Sequence, residues 1–428
     1  MARFLFTVWP FPGCLFPHMA VAEALRERGH WVAFYTGSAV RSLVERAGFV
    51  VFPFSPALEC TIESRVLSAD GVTSTAMSRP WRLESQLRAL FAGTIPAQID
   101  DLTDALAQAK PDVIVCDPAM WGPIVVLHEA QPVPVALLSP YAACWLPGPD
   151  VSPPGSGLPR PKDWRTRLLA RAGWAAFGVL RTRLHRTVNQ LRTRYGLPAL
   201  HTSVAAHMAE LPLFLVPSCP EFDYERRDLP GSVHYVGPCL WYPPEDDHLR
   251  LGQLREDIPA VHVTEGTIHH GEPVVLKAAA DGLAELPVEV TMSAGGRDRT
   301  ALGLGVLPGN VQLHAWISYT LTLPRMAAVV TTGGSGTVLA ALLAGVPLVV
   351  VPVAWDQPEN AQRVVEAGAG LRLSPRKCTP GRLRAAVEQV LSDPSYGVEA
   401  RRLGSKLREL GGPCRAAALL ETLASSKR

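Results

Sequence analysis

Short apolar runs alternate with longer amphipathic stretches through most of this sequence. Near the amino terminus, the apolar runs at 2–10, 31–36 and 49–54 are separated by stretches with helical periodicity. Repeated strand, helix and strand segments with short connections predict an α/β fold with a doubly wound parallel sheet. Ligands of such sheets bind beyond the carboxyl ends of the strands, so function is expected in the loops that follow the apolar runs.

The alternating pattern is interrupted once and then restarts. Residues 213–240 contain two short strand-like runs around a polar, proline-containing stretch, as expected of a crossover between domains. A chain of 428 residues is long enough for two domains with full-sized cores. We therefore predict a first domain at 1–215, a linker at 216–240 and a second α/β domain at 241–405.

Composition excludes several classes of function. The formal net charge of +2 gives no global electrostatic case for binding nucleic acid. The eight cysteines form no CxxC pair, so neither a zinc site nor a redox motif is indicated, and reduced thiols fit a cytoplasmic protein. The most hydrophobic run, 346–355, is far too short to span a bilayer and is predicted to be a buried strand.

Positive charge is concentrated in residues 160–194, a stretch predicted to be mostly helical. It contains ten Lys and Arg residues and one acid, Asp163, with aromatic side chains between them. Such a face can lie on an anionic membrane surface, and the alternative is a solvated helical face in an arginine-rich protein. We favour the solvated face and expect negligible membrane association.

A glycine-rich turn within 331–364 is the stretch with the most chemical content. Gly333, Gly334 and Gly336 let the backbone approach a ligand closely, and the helix that follows offers free N–H groups to a diphosphate. Asp356 and Gln357 follow the next strand, where they suit the hydroxyl groups of a sugar. A tight turn beside an exposed acid is the alternative explanation, and the combination of both features disfavours it.

These motifs resemble those of family 1 glycosyltransferases, which have the two-domain GT-B fold. The most specific parts are "GGSGT…ALLAGVPLVVVPVAWDQPENA" and "VHYVGP", and the resemblance covers essentially the whole chain. It implies an acceptor-binding first domain, a nucleotide-sugar-binding second domain and an inverting mechanism without a metal or other cofactor. It also implies that a helix within 406–428 crosses back to the first domain.

The resemblance assigns donor contacts to ten residues of the second domain. These are Thr267, Trp316, Thr332, Gly334, Ser335, Gly336, Thr337, Asp356, Gln357 and Asn360. In such enzymes the position of Trp316 stacks on or flanks the base. Diphosphate contacts come from the positions of Thr267, Ser335, Gly336 and Thr337, and sugar contacts from those of Asp356 and Gln357. The donor is then a UDP- or TDP-linked hexose or deoxyhexose.

The chain departs from the family pattern at three positions. Family members usually have histidine at Cys14 and at Thr332, and glutamine at Tyr319. Asp117, at the end of "PDVIVCD", matches the acid that usually orients the catalytic histidine. For a lipophilic acceptor, aromatic residues in two segments of the first domain offer a lining, namely Trp81, Phe91, Tyr141 and Trp145.

Cys14 raises the question of which group accepts the proton of the acceptor. A free thiol has a pKa of about 8.5, and a carboxylate beside it disfavours the thiolate, so cysteine is a poor base. We predict that Cys14 is an apolar plug, that Asp117 is the essential acid–base residue, and that His18 contributes less. The first helix is predicted at 17–30, which places Cys14 in a loop at 10–17 and His18 in the first turn.

Two functions remain open at this stage. The first is an active glycosyltransferase with a lipophilic acceptor, where either the acceptor has an acidic nucleophile such as a phenol or the enzyme is slow. The second is a catalytically weak relative that serves as a binding or auxiliary partner of another enzyme. A dehydrogenase is disfavoured because the first turn contains no GxGxxG motif.

Overall fold

Strands rich in Val, Leu and Phe build two separate sheets in the computed structural model of the chain. The structure describes residues 1–67, 80–139, 146, 148–224, 226–243, 254–255, 257–267 and 272–426. Within these residues every strand pair is parallel, which confirms the predicted doubly wound α/β fold with two sheets.

The first sheet has the order β3-β2-β1-β4-β5-β6-β7 among the described strands. Its strands are β1 Arg3–Thr7, β2 Trp31–Thr36, β3 Val50–Pro53, β4 Val113–Cys116, β5 Val135–Leu138, β6 Leu213–Val216 and β7 Val233–Tyr235. The last residue of β1, Thr7, pairs with Tyr35 on one side and with Cys116 on the other. The segments that follow β1 and β4 therefore leave the sheet side by side at its carboxyl edge.

The second sheet has the order β10-β9-β8-β11-β12-β13 within the described ranges. Its strands are β8 Ala260–Thr264, β9 Glu289–Ser293, β10 Val311–His314, β11 Ala328–Thr331, β12 Leu348–Val350 and β13 Gly370–Arg372. One apolar core covers the first sheet, and two clusters cover the two faces of the second.

Helices cover both sheets. They are α1 Pro12–Glu27, α2 Ser38–Arg46, α3 Pro56–Ile62, α4 Pro80–Leu87, α5 Ile95–Ala109, α6 His128–Ala130, α7 Trp164–Arg194, α8 Val204–Glu210, α9 Val274–Gly282, α10 Tyr319–Thr322, α11 Ser335–Leu343, α12 Gln357–Glu366, α13 Pro380–Ser392, α14 Pro394–Glu409 and α15 Gly412–Ser425. Short π-helical segments lie at Glu63–Leu67, Arg88–Ala92 and Pro123–Leu127, and 3-10 turns at Thr300–Leu302, Leu323–Arg325 and Pro375–Lys377.

The first helix begins five residues earlier than the sequence predicts. Phe11 is its extended N-cap and Pro12 its first residue, so Pro17 lies inside the helix. Proline is favoured in the first helical turn because its φ is fixed and its missing N–H is not needed there. The sequence offers two prolines for the first turn, Pro12 and Pro17. The prediction used Pro17, whereas the helix begins at Pro12. Cys14 therefore lies in the first turn of α1 and not in a loop.

Two segments that lie outside the predicted first domain, β7 and α15, contact that domain. Strand β7 lies in the predicted linker, yet it pairs with β6 and so extends the first sheet. Helix α15 returns to the first domain, where Glu421 meets Arg28 at 2.9 Å and His30 at 2.7 Å. The preceding α14 belongs to the second domain, since Leu403 and Leu407 are part of its core.

The basic stretch forms one continuous helix of 31 residues, α7. Arg192, one of its cations, is only 1% exposed and belongs to the core, where it donates to the Val125 carbonyl oxygen at 2.6 Å and contacts Glu129. At the other end, Trp164 is 70% exposed. In the described part of the chain, no helix is both long and apolar enough to cross a membrane.

Candidate active site

A buried carboxylate occupies the carboxyl edge of the first sheet. Asp117 follows β4 and is completely buried. Its Oδ1 accepts the Ala119 N–H at 2.8 Å, whereas Oδ2 has no hydrogen-bond partner among the described residues. Desolvation raises the pKa of Asp117 to about 7, although the Ala119 N–H and the Cys14 thiol both lower it. Such a group is partly ionised at neutral pH and has an oxygen available to accept a proton.

Cys14 lies beside this carboxylate because β1 and β4 are neighbours. It is 3% exposed and is part of the apolar core of the first domain. Its backbone N–H is bound to Phe11 in the first turn of α1, which fixes the thiol against Asp117. This burial agrees with Cys14 as an apolar residue of the pocket wall, against the segment that follows β4.

His18, one turn further along α1, is a core residue. It is completely buried, and its Nδ1 lies 2.7 Å from the Cys14 carbonyl oxygen, to which it donates when neutral. Burial lowers the pKa of His18 to about 4, since the charged ring loses its hydration. The edge of Phe6 packs against the ring. A buried imidazole this weakly basic is disfavoured as a catalytic base.

Aromatic rings surround the carboxyl ends of β1 and β4. Phe91 stacks on Trp121 with ring centres 5.1 Å apart, and Trp9 lies 6.3 Å from Phe91. The Trp121 indole donates to the Pro118 carbonyl oxygen, next to Asp117. Of the four predicted acceptor residues, Phe91 is thus placed in the apolar core against Trp121. The Trp81 side chain, Tyr141 and Trp145 lie outside what the structure describes.

The glycine-rich turn lies at the carboxyl edge of the second sheet. Gly333 has a φ of +94°, and a Cβ atom there would lie 2.6 Å from Val350 Cγ1, so only glycine fits. At Gly334 and Gly336 an added Cβ would meet nothing within 4 Å, which leaves open space over the turn. Helix α11 begins at Ser335 with no side-chain cap, so its first N–H groups face that space without a capping side chain.

Three threonines near this turn differ in what they offer a ligand. The Thr332 hydroxyl donates to the Glu265 carbonyl oxygen at 3.1 Å, so its proton is already engaged. Thr337 shares a hydrogen bond of 3.1 Å with the Tyr319 hydroxyl. Thr267 follows β8 and is half-buried. Tyr319 therefore fixes the side chain of a predicted diphosphate contact, Thr337.

Hydrogen bonds fix the side chains of three residues of the predicted sugar site, Asp356, Gln357 and Asn360. Asn360 donates to Asp356 Oδ2 at 2.7 Å and to the Gly333 carbonyl oxygen at 2.9 Å, which ties the acid to the glycine turn. Gln357 Oε1 accepts two backbone N–H groups, from Val353 at 2.8 Å and from Ala354 at 2.9 Å. Desolvation raises the pKa of Asp356 to about 7, against the effect of the Asn360 hydrogen bond.

The strand order arranges the predicted donor residues in a row. Trp316 follows β10, Thr267 follows β8, the Gly333 turn follows β11 and Asp356 follows β12. Four strand spacings separate β10 from β12, about 19 Å at about 4.8 Å each. Trp316 packs on Gly296, where an added Cβ would lie 3.2 Å from the indole ring. The row runs along a single edge of the sheet.

Sequence reasoning missed the residues that join the two domains. Trp355 has a φ of +55°, a conformation that is rare for a large side chain, and it packs on the core of the first domain. Glu359 accepts the Gly157 N–H from the first domain at 3.1 Å. The only sequence signal was the glycine and proline content around Gly157, which predicted a loop without a partner.

Similar structures and sequences identify the chain. The crystal structure of CalG4, the calicheamicin glycosyltransferase, matches with a TM-score of 0.76 and 25% identity over 99% of this chain and 98% of that one. Spinosyn rhamnosyltransferase SpnG has the same fold, with a TM-score of 0.73 and 21% identity over 99% of this chain and 100% of that one. The two parallel-sheet domains and this similarity therefore define a GT-B glycosyltransferase.

Sequence comparisons narrow this class to a family. Residues 277–421 match the family model described as erythromycin biosynthesis protein CIII-like, C-terminal domain. The chain is 32% identical to 4'-demethylrebeccamycin synthase of Lentzea aerocolonigenes over 94% of both chains. It is 27% identical to demethyllactenocin mycarosyltransferase of Streptomyces fradiae, over 99% of this chain and 87% of that protein. The chain belongs to the family-1 glycosyltransferases of bacterial natural-product type, which transfer sugars to small-molecule acceptors.

The raised pKa of Asp117 predicts a gain in stability when its charge is removed. Native Asp117 has a pKa of about 7, against 3.8 for the unfolded chain, so the native state binds more protons between these values. Its contribution to the free energy of unfolding therefore falls as the pH rises through 7. We expect the free energy of unfolding of Asp117→Asn to exceed that of the native protein by up to about 4 kcal/mol at pH 8. This difference should shrink toward pH 4.

Urea unfolding at pH 8 and at pH 5 measures this difference. Asp281→Asn, at an exposed aspartate of the second domain, is the control and should change the free energy of unfolding little at either pH. An Asp117→Asn protein that is equally destabilised at both values would show that Asp117 has an ordinary pKa in the native state.

Proposed function

We propose that the chain is an inverting glycosyltransferase that uses a UDP- or TDP-linked hexose or deoxyhexose. The acceptor is a lipophilic small molecule with an acidic nucleophile such as a phenol. The observation that carries this proposal is the row of residues along the second sheet. The row begins with the Trp316 indole, continues with the Gly333 turn and the N-terminus of α11, and ends with Asp356 and Gln357. These groups suit the base, the diphosphate and the sugar of a donor in that order.

The diphosphate of such a donor fits the turn between β11 and α11. The first N–H groups of α11 and the positive end of its dipole stabilise negative charge. Their effect is greatest on the leaving nucleoside diphosphate, where charge develops during transfer. The chain's own groups at this position are therefore the N–H groups of Ser335 to Thr337 and the Thr337 hydroxyl, held by Tyr319.

The sugar is then bound between the two domains. Asp356 and the free amide nitrogen of Gln357 offer an acceptor and a donor to its hydroxyl groups. Because Gln357 Oε1 is occupied by two backbone N–H groups, the direction of its amide nitrogen is fixed. A sugar held in this way exposes the face of its anomeric carbon opposite to the diphosphate, and attack on that face inverts the configuration.

The proton of the acceptor goes to Asp117. As the nucleophile forms its bond to the anomeric carbon and the bond to the diphosphate breaks, the acceptor's proton transfers to Asp117 Oδ2. The thiol of Cys14 is much smaller than the imidazole found in relatives, so a water molecule can pass the proton between acceptor and acid. A carboxylate with a pKa near 7 removes a proton more readily from a phenol than from an alcohol.

Complexes of a similar protein support the same assignment of domains. Spinosyn rhamnosyltransferase SpnG has been solved with thymidine diphosphate and with the spinosyn aglycone. The aromatic rings of Trp9, Phe91 and Trp121 beside Asp117 suit a flat, apolar acceptor.

We expect Asp356→Ala to separate binding of the sugar from binding of the nucleotide. Asp356 contacts only the hexose in this proposal, so the variant should weaken the nucleotide sugar about tenfold or more and the free nucleoside diphosphate less than about twofold. Titration calorimetry with both ligands measures this, with Asp281→Ala as the control. Equal losses for both ligands would remove Asp356 from the sugar site. Binding of nucleotide sugars without any turnover would favour the auxiliary-partner function.

A set of variants at the acid tests the path of the proton. Cys14→Ala should keep most activity with a phenolic acceptor, since water can fill the space of the thiol. Asp117→Asn should lose about 10²- to 10⁴-fold in kcat. Cys14→His should gain activity toward ordinary alcohols, because it restores a base next to the acid. If Cys14→Ala abolished turnover and left donor binding intact, the thiol itself would be the proton acceptor.

A further inference from the structure

A loop of the first domain is hydrogen-bonded to α12, the helix that carries the residues proposed for the donor sugar. The loop precedes α7 and is anchored there, since the Trp174 indole donates to the Val151 carbonyl oxygen at 2.9 Å. Its segment 155–162 then reaches α12 of the second domain. We call this segment the latch.

Gly157 is the point of closest approach between the latch and α12. Its N–H donates to Glu359 Oε1 at 3.1 Å, and its carbonyl oxygen accepts from Arg372 at 2.7 Å. Its φ is +55°, and a Cβ atom added there would lie 2.7 Å from Pro358 Cβ. Any side chain at this position must push the first turn of α12 away.

A second set of bonds joins the latch to the other end of α12. The Arg160 N–H donates to Glu366 Oε1 at 2.7 Å, and the Lys162 ammonium lies 3.2 Å from Glu366 Oε2. The Glu366 side chain is 12% exposed but Lys162 is 59% exposed, so the ion pair is screened by solvent and the backbone hydrogen bond of Arg160 is the more specific contact. The latch therefore holds both the first and the last turn of the helix.

The residues proposed for the donor sugar depend on the position of this helix. Gln357 is its first residue, Asp356 is its N-cap, and Asn360 lies in its first turn. Asn360 donates a hydrogen bond to the Gly333 carbonyl oxygen, so a shift of the helix also moves the glycine turn. Pro358, against which Gly157 packs, lies between Gln357 and Glu359.

We propose that the latch sets the position of Asp356 and Gln357 for the donor sugar, and that Gly157 is a positioning residue for sugar transfer. This inference rests on the proposed donor site and adds to it a contribution from the first domain. The sugar is then bound productively only when the two domains are closed on each other through Gly157 and Glu359. Trp355, which packs on the first domain directly before Asp356, fits the same closed arrangement.

Gly155 provides a control for a substitution at Gly157, since its N–H also bonds to Glu359 and alanine keeps that N–H. It also has a positive φ, +76°, but a Cβ atom there would meet nothing within 4 Å. Alanine thus introduces a similar backbone strain at both positions and a clash with Pro358 at Gly157 alone. We expect Gly157→Ala to raise the KM for the nucleotide sugar about tenfold and Gly155→Ala to change it less than about twofold.

Steady-state kinetics and calorimetry with UDP- and TDP-linked sugars measure the effect. The affinity of Gly157→Ala for free UDP or TDP, which does not reach Asp356, should stay within about twofold of the native protein. Equal KM values for the two glycine variants, or an equal loss for nucleotide and nucleotide sugar, would overturn the proposal. A native protein that binds no nucleotide sugar would instead refute the donor site itself.

Two variants at Glu359 test the latch without a clash. Glu359→Ala removes the acceptor of the Gly157 N–H and should raise the KM for the nucleotide sugar as Gly157→Ala does. Glu359→Gln keeps an acceptor oxygen and should restore most of the loss. If Glu359→Ala left that KM unchanged, or if the glutamine failed to restore it, the contact would have no positioning role.

Discussion

Parallel pairing of the strands is the constraint on which both halves of the site depend. In each sheet every described strand ends at the same edge, so residues far apart in sequence meet beyond it. In the first domain this brings Cys14, after β1, against Asp117, after β4. In the second it sets Trp316, the Gly333 turn and Asp356 in a row along one edge, and the proposed donor site rests on the order of this row. Among the contacts that join the two domains, the hydrogen bond from Gly157 to Glu359 links the first domain directly to α12.

Burial of two carboxylates has a cost in stability and a consequence for chemistry. Desolvation raises the pKa values of Asp117 and of Asp356 to about 7, so each ionised carboxylate at neutral pH opposes folding. A surface aspartate would be a weaker base toward an acceptor. In the proposed mechanism Cys14 offers no imidazole between Asp117 and the acceptor, so the buried acid accepts the proton. His18 does not replace the imidazole, because its ring is buried and bound to the backbone of α1.

The sequence predicted the fold because it follows from local patterns, since apolar runs between helical stretches indicated the parallel sheets. The structure places the glycine turn and "WDQPEN" at one edge of the second sheet, and their roles in donor binding stay predictions. The start of α1 was placed at Pro17 instead of Pro12, because two prolines satisfy the same rule for a first turn. Strand β7 and the burial of Arg192 depend on neighbours distant in sequence. The contact between Gly157 and Glu359 was missed for the same reason, because it joins residues of different domains that are far apart in sequence.

A direct titration of the Asp117 carboxyl group tests the central claim that this buried acid accepts the proton. The native protein and Asp117→Asn, each labelled with ¹³C at the aspartate carboxyl carbons, can be followed by NMR between pH 4 and pH 9. We expect a resonance that titrates with a midpoint near 7 and is absent from the variant. A resonance assigned to Asp117 with a midpoint near 4 would contradict it, because a carboxylate with that pKa would be too weak a base to serve as the proton acceptor.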